Sequence, residues 1–305
     1  MARTTHQRRV IVSMNRAGFG MRDTGAVPAA VITTARLVAV ALAIGIPMSQ
    51  WLVLALRFNP EDVTSYLWAG EAWRTLGNPY APADELVGFN PIYRYAPWFA
   101  LPWIWLSTLP HDAVGFVWAM AMAACAIAAV VPLFRAYGAA ALPLGGFMLG
   151  WLLAIALQGN VQPAIVAVLV WGVSGRFGPL VIAACASLKY APILYVLVYI
   201  GRREWRRAAL TMALTVGLLA PMLIFEIPSL AFDTSGWPSL FHDAPAAWVL
   251  MLILASAATL WLARGRWSWP AAGIAVVLAF PRAFNYDVTF LLPGVAEASR
   301  RNQED

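Results

Sequence analysis

The chain has 305 residues, of which 61% are hydrophobic and only 12% are charged. Soluble domains carry about 25% charged residues, so this composition excludes an ordinary soluble domain and predicts a polytopic membrane protein. The formal net charge of +6 does not indicate nucleic-acid binding. The arginines lie at the N-terminus and in short connectors, where basic residues determine membrane topology.

The N-terminal segment 1–36 is basic. It contains Arg3, Arg8, Arg9, Arg16, Arg22 and Arg36. The segment is too long for the basic region of a signal peptide, and no small-residue cleavage site clearly follows the next apolar run. We therefore predict a disordered cytoplasmic tail over 1–36, a single transmembrane domain over 37–295 and a polar C-terminal tail over 296–305.

Apolar runs follow this tail along most of the chain. They cover 37–56, 93–109, 113–134, 139–157, 161–173, 179–200, 208–226, 247–263 and 269–292. A membrane-spanning helix needs about 20 apolar residues, or about 17 at the short end, so the runs at 93–109 and 161–173 are marginal. The last run is interrupted by FPRAFNYD and forms either one span or two half-helices. The expected fold is all-α, a polytopic transmembrane helical bundle of about 8–10 spans.

The distribution of basic residues predicts the orientation. The N-terminal tail and the cluster GRREWRR at 201–207 are expected in the cytoplasm, and RGR at 264–266 supports the same side. Six crossings between residues 37 and 201, the first span included, satisfy this arrangement. The loops 57–92 and 227–246 then lie outside, and the protein is predicted to be a multi-pass plasma-membrane protein with a cytoplasmic N-terminus.

Tryptophans are concentrated near the predicted span ends. These are Trp51, Trp68, Trp98, Trp103, Trp105, Trp205, Trp248, Trp267 and Trp269. Tryptophan is enriched at the membrane–water interface, so the pattern predicts an interfacial aromatic belt.

The first external loop begins with a segment unlike its surroundings, NPEDVTSYLWAGEAWRTLGNPYAP at 59–82. A helix over 60–73 would place on one face Asp62, Tyr66, Ala69 and Trp73. This pattern predicts an amphipathic helix on the membrane surface that carries a carboxylate among aromatic rings. Interaction with the helix dipole is enough to explain Glu61, but it explains Asp62 less well because the aromatic face lies below it.

Lys189 is the only lysine of the chain, and it lies within an apolar run. A charge inside hydrocarbon is costly, and it therefore indicates function by default. A buried cation facing a cavity would suit an anionic ligand such as a phosphate. The alternative is that Lys189 extends its ammonium group to the membrane interface.

The segment LQGNVQP at 157–163 places three amide side chains in a region without charges. These amides, Gln158, Asn160 and Gln162, could bind the hydroxyls of a polar ligand. They could equally make a polar contact between helices or belong to an ordinary connector.

The sequence contains none of three common catalytic or phosphate-binding motifs. There is no Gly-rich phosphate loop, no Ser-His-Asp arrangement and no zinc motif. Cys125 and Cys185 each lie in an apolar run without a metal-binding spacing, and they are interpreted as small packing residues. No metal site and no cofactor are predicted.

Several short motifs, in this order, resemble the membrane glycosyltransferases of family 87. The resemblance begins with Asp62-x-x-x-Tyr66, Ala69-Gly70 and Gly77-Asn78-Pro79-Tyr80. It continues with YAPWFALPWIWLSTLP, QGNVQP and LKYAPILYVLVYIGRREWRRA. It covers about 37–210, and the chain differs from the family in reading Tyr95-Ala96-Pro97 where a double proline is usual.

The resemblance implies a GT-C architecture and a polyprenyl-phosphate-mannose-dependent mannosyltransferase type of activity. In such enzymes a carboxylate in the first external loop is the general base, and by this match the base is Asp62. Lys189 and Arg94 are candidates for the donor phosphate. The candidates for sugar or acceptor contact are Tyr66, Tyr80, Tyr95, Gln158, Asn160 and Tyr190.

The implied partners are a polyprenyl-phosphate sugar donor, a lipid or glycan acceptor and membrane lipids, with no nucleic acid. A lipid monophosphate needs less charge neutralisation than a nucleotide diphosphate, so no metal is required. Two other classes stay open: a lipid-linked sugar flippase or small-solute transporter, and a structural subunit of a cell-envelope complex. No pair of matching broken helices, which is typical of transporters, is found.

Overall fold

The computed structural model describes residues 37, 38, 40–42, 44–46, 49, 53, 60–81, 93–227, 239–281 and 284–304. The predicted N-terminal tail and parts of both predicted external loops therefore lie outside the described residues. The elements considered below all belong to one compact unit, Ala39–Asp305.

Every element in the described ranges beyond residue 59 is a helix, which confirms the prediction of an all-α chain for this part of it. The α-helices are α1 (Glu61–Leu76), α2 (Pro97–Leu106), α3 (His111–Tyr137), α4 (Leu142–Leu157), α5 (Gln162–Gly172), α6 (Gly178–Leu188), α7 (Val196–Gly201), α8 (Trp205–Leu219), α9 (Leu240–Asp243), α10 (Pro245–Leu262), α11 (Ser268–Leu278) and α12 (Leu292–Glu304). Short 3-10 helices cover Gly138–Ala141, Ala191–Tyr195, Ala220–Ile224 and Asn285–Leu291.

Three helical stretches in the described ranges are long and apolar enough to cross a membrane. They are His111–Leu157, Trp205–Ile224 and Pro245–Leu262. In the last of these, which is α10, Leu250, Ile253 and Leu254 are each more than half exposed. Apolar surface of this extent is typical of contact with lipid rather than water.

Helix α1 confirms the helix predicted over 60–73 and extends it to Leu76. Pro60 precedes its first residue, and Gly77 ends it with φ of 72°, where its N–H bonds to the carbonyl of Trp73. Acidic residues in the first turn and Arg74 in the last turn match the helix dipole.

The aromatic face of α1 is turned towards protein rather than towards a membrane surface. Tyr66 and Ala69 are fully buried, and α1 packs against α2 and α3. The Tyr66 ring lies 4.9 Å from the Trp103 ring of α2, centroid to centroid. The prediction of a surface-lying face is thus replaced by a helix docked through its aromatic side.

The predicted last run, 269–292, is interrupted, as its sequence suggested. Helix α11 ends at Leu278, the 3-10 helix Asn285–Leu291 follows, and α12 then begins at Leu292. Helix α12 packs on α11, α3 and α5 and continues to Glu304, so it includes the segment predicted as a polar C-terminal tail.

Candidate functional site

The N-terminus of α1 docks on the turn between α4 and α5. The backbone N–H of Asp62 donates to the carbonyl of Gln158 over 3.1 Å. Gly159 has a φ of +79°, and a Cβ there would lie 2.3 Å from Cγ2 of Val63. A glycine is therefore required on two grounds, and it lets the start of α1 approach the amide segment closely.

The carboxylate of Asp62 is joined directly to this turn. Asn160 donates from Nδ2 to Oδ2 of Asp62 over 2.7 Å. Burial raises the pKa of Asp62 above its ordinary value of 3.8, while the Asn160 hydrogen bond and the charges of Lys189 and Arg94 act in the opposite direction. Glu61 adds a smaller upward contribution to the pKa of Asp62. Two residues predicted from separate segments, Asp62 and Asn160, are thus in contact.

Asn160 also connects the carboxylate to a second amide, Gln162. The backbone N–H of Gln162 donates to Oδ1 of Asn160 over 2.9 Å. The fully buried side chain of Gln162 donates from Nε2 to the carbonyl of Tyr286 and to Oγ1 of Thr289, each over 3.0 Å. Its Oε1 accepts a hydrogen bond from Nζ of Lys189. Gln162 therefore links the α4–α5 turn to both Lys189 and the 3-10 helix Asn285–Leu291.

Lys189 lies directly after α6 in an extended conformation, and it pairs with an acid from the C-terminal part of the chain. Its Nζ is 3.7 Å from Oδ1 of Asp287, and the two side chains are 15% and 1% exposed. The ammonium also lies over the Tyr286 ring, 5.2 Å from its centroid. The carboxylate and the aromatic ring both favour the charged form of this buried lysine.

The predicted tyrosines fall into two groups. Tyr66 donates to the hydroxyl of Tyr95 over 3.2 Å, and Tyr80 donates to the Tyr95 carbonyl over 2.7 Å. Tyr66 and Tyr80 are buried, so their side chains are occupied in protein contacts. Tyr190 is 54% exposed, and its ring lies 5.7 Å from that of Phe280.

The structure thus joins Asp62, Asn160 and Lys189 through Gln162, whereas Tyr80 and Tyr190 make their contacts outside this network. The side chain of Gln158 is half-buried, and only its backbone carbonyl reaches Asp62. Arg94 is exposed and acts on Asp62 through its charge.

Asp287 was missed by the sequence reading, although the signal was available. It is an acid inside an apolar run, which is the same argument that selected Lys189. The motif FPRAFNYD was used only as a sign of a helix break. Gln162 belongs to the amide motif of the sequence but not to the predicted sugar or acceptor contacts, although it is the centre of the network.

Two cavities in the described part of the chain lie apart from this network. One, of about 810 Å³, is lined by Gly77 and Asn78 after α1 and by Phe225 and Glu226. The other, of about 520 Å³, is lined mainly by apolar side chains from α3, α11 and α12, with Arg266 at its edge. The described residues contain no group of three or more His, Cys, Asp or Glu side chains placed to hold a metal ion.

In the comparisons with known proteins, no family model, no curated protein and no solved structure matches this chain. Functional assignment therefore depends on the site itself.

Proposed function

We propose that the protein is a membrane glycosyltransferase that moves a hexose, with mannose favoured, from a polyprenyl-phosphate donor to a lipid or glycan acceptor. The observation that supports this proposal is the contact between Asp62 and Asn160, extended through Gln162 to Lys189. A carboxylate, amides and a cation are the groups that such a transfer requires. Here three distant segments of the chain supply them to one place.

Asp62 acts in this proposal as the general base for the acceptor hydroxyl. Asn160 holds one carboxylate oxygen, so the orientation of the group is fixed and the other oxygen receives the proton. The pKa of Asp62, raised by burial, makes it a better proton acceptor than a solvated aspartate.

Lys189 stabilises the phosphate that leaves as the bond from the sugar to the phosphate oxygen breaks. A cation in a poorly hydrated site is an effective stabiliser of such developing charge. In this proposal Arg94, which is exposed and acts electrostatically on Asp62, binds the donor phosphate at the edge of the site.

The topology proposed for this function is a GT-C-like bundle of about 8–10 spans in the plasma membrane. The basic connectors after α7 and α10 then lie in the cytoplasm, together with the N-terminus. Helix α1 and Asp62 lie on the opposite side, where a lipid-linked sugar is available to the enzyme.

Sugar transfer by Asp62→Asn tests the proposal. Membranes that contain the wild type or the variant are given radiolabelled polyprenyl-phosphate-mannose and a total lipid extract. We expect labelled product from the wild type and a loss of about a hundredfold or more in the variant, because asparagine keeps the shape but cannot accept the proton. The matched control is Glu61→Gln, which removes an exposed carboxylate one residue away.

The outcomes separate the parts of the proposal. Equal transfer by Asp62→Asn and the wild type would contradict the role of Asp62 as base. An absence of transfer by the wild type, repeated across a panel of polyprenyl-phosphate sugars, would contradict the glycosyltransferase proposal itself.

A transporter of lipid-linked sugars or small solutes is the second candidate, and the buried pair Lys189–Asp287 favours it. Opposite charges within a helical bundle are typical of ion-coupled transport. Uptake of labelled substrate into proteoliposomes, without chemical change of that substrate, would support the transporter over the transferase.

A further inference from the structure

Two side chains, those of Gln162 and Asp287, hold the Lys189 ammonium. An ammonium has three hydrogen-bond donors. One of them is used by Oε1 of Gln162, and Oδ1 of Asp287 lies 3.7 Å from Nζ. A charge-assisted hydrogen bond is about 2.8 Å long, so this separation is too great for one. Asp287 therefore attracts the ammonium by its charge and leaves the N–H groups of Lys189 that Gln162 does not bind available to a ligand.

The carboxylate of Asp287 is itself fixed by the backbone. Its Oδ2 accepts a hydrogen bond of 2.8 Å from the N–H of Phe284, at the start of the 3-10 helix Asn285–Leu291. Among the described residues none donates a hydrogen bond to the buried Oδ1, the oxygen that faces Lys189. The carboxylate is therefore oriented with Oδ1 towards the Lys189 ammonium.

The same 3-10 helix fixes the other partner of Lys189. The Tyr286 carbonyl and Thr289 Oγ1 both accept from Nε2 of Gln162, which orients the amide so that its oxygen faces the ammonium. One short element thus controls the charge and the hydrogen-bond acceptor that together hold Lys189.

We propose that Asp287 is a positioning residue, a buried counter-ion that keeps the Lys189 ammonium charged and oriented so that one of its two remaining donors binds the phosphate of a prenyl monophosphate. This inference deepens the proposed function and rests on it for the identity of the phosphate ligand. Asp287 does not touch the ligand in this arrangement. It acts through Lys189, because a lone ammonium at this depth has no other described acid within ion-pairing distance.

The pairing is tested first by a double-mutant cycle on the thermal stability of the full chain in detergent. Asp287→Asn and Lys189→Met each leave one buried charge alone, so each is expected to lower the melting temperature by about 5–10 °C. The double variant removes both charges and is expected to recover most of that loss. Additive losses would overturn the pairing.

The positioning role is tested by binding of farnesyl phosphate, a soluble prenyl monophosphate, measured as a shift in melting temperature with ligand concentration. We expect Asp287→Asn to weaken binding at least about tenfold, the effect of losing one charged hydrogen bond, and Asp287→Glu to retain most of the affinity. The control is Glu297→Gln, a second buried acid, which pairs with Arg300 in α12. If Asp287→Asn does not fold, Asp287→Glu and the double variant provide the comparison.

Three results would overturn the inference: unchanged affinity in Asp287→Asn, equal weakening by Glu297→Gln, or no binding of farnesyl phosphate by the wild type. Farnesyl phosphate could bind as expected, and Asp287 and Lys189 could be coupled as expected, while no sugar is transferred from any donor. This result would support the role of Asp287 and contradict the glycosyltransferase proposal. Failure of the two proposals is therefore distinguishable.

Discussion

At the scale of single residues, the hydrogen bond from Asn160 opposes the effect of burial on the pKa of Asp62. Burial raises the pKa of the Asp62 carboxyl, and the amide of Asn160 opposes this by stabilising the ionised form. Asn160 therefore keeps the base ionised at a lower pH than burial alone would allow.

Replacement of Asn160 by leucine is expected to change the pH dependence of sugar transfer. The base must be ionised, so wild-type activity falls as the pH falls through the pKa of Asp62, which lies above 3.8. Asn160→Leu removes an interaction that lowers this pKa, so the loss of activity begins at a higher pH. The measurement is the rate of transfer against pH for both proteins. A profile that keeps its midpoint in the variant would show that Asn160 does not control the ionisation of Asp62.

At the scale of elements, the turn around Gly159 places α1 on the site. The Trp118 side chain donates to the Gly159 carbonyl over 2.8 Å, and Val63 packs against the glycine from the other side. The start of α1 is therefore held by the backbone of the amide segment, and not by side chains alone.

Gly159→Ala is expected to separate these two elements. Its φ of +79° costs an alanine about 1–2 kcal/mol, and the new Cβ would overlap Val63. We expect lower thermal stability and reduced transfer, because Asp62 moves away from Asn160. Gly217→Ala is the matched control, since a Cβ there meets no atom within 4 Å and α8 gains a better helix former. Equal behaviour of the two variants would argue against the close approach at Gly159.

Some features of the fold can be predicted from the sequence and others cannot, and the difference has a physical cause. Helix α1 could be predicted because its limits are local, with Pro60 before it and Gly77 after it. The burial of two tryptophan side chains inside the helical bundle could not be predicted from the sequence. Trp103 and Trp269 were expected at the interface but are fully buried. In a helix that is apolar on all sides, no periodicity distinguishes the face that meets protein from the face that meets lipid.

In the candidate site too, single residues could be selected from their sequence neighbourhood, but contacts between residues far apart in the chain could not. Asp62, Asn160 and Lys189 could each be selected singly, because each is polar in an apolar neighbourhood. Their assembly through Gln162 could not, since its partners Tyr286 and Thr289 are more than 120 positions away in the chain. Only the folded arrangement shows that these residues share one network.

At the scale of the whole molecule, the proposed orientation predicts which surfaces are reachable from outside the cell. Thr75, near the end of α1, is expected outside, and Arg203, after α7, is expected in the cytoplasm. Both residues are exposed in the structure.

Cysteine labelling checks this topology in a background in which Cys125 and Cys185 are replaced by alanine. A membrane-impermeant maleimide should label Thr75→Cys in intact cells, and Arg203→Cys only after the cells are lysed. Labelling of Arg203→Cys in intact cells would reverse the orientation, and it would place Asp62 on the cytoplasmic side.

The hydrogen bonds of Gln162 to Tyr286 and Thr289 have a consequence for the order of biosynthesis. A ribosome delivers Asp62 long before the 3-10 helix Asn285–Leu291. Until that element has emerged, Lys189 lacks the carboxylate of Asp287, and the Gln162 amide lacks the two acceptors Tyr286 and Thr289. The polar network therefore forms only after the 3-10 helix Asn285–Leu291 has been synthesised, and a shorter nascent chain holds the carboxylate of Asp62 without the oriented cation.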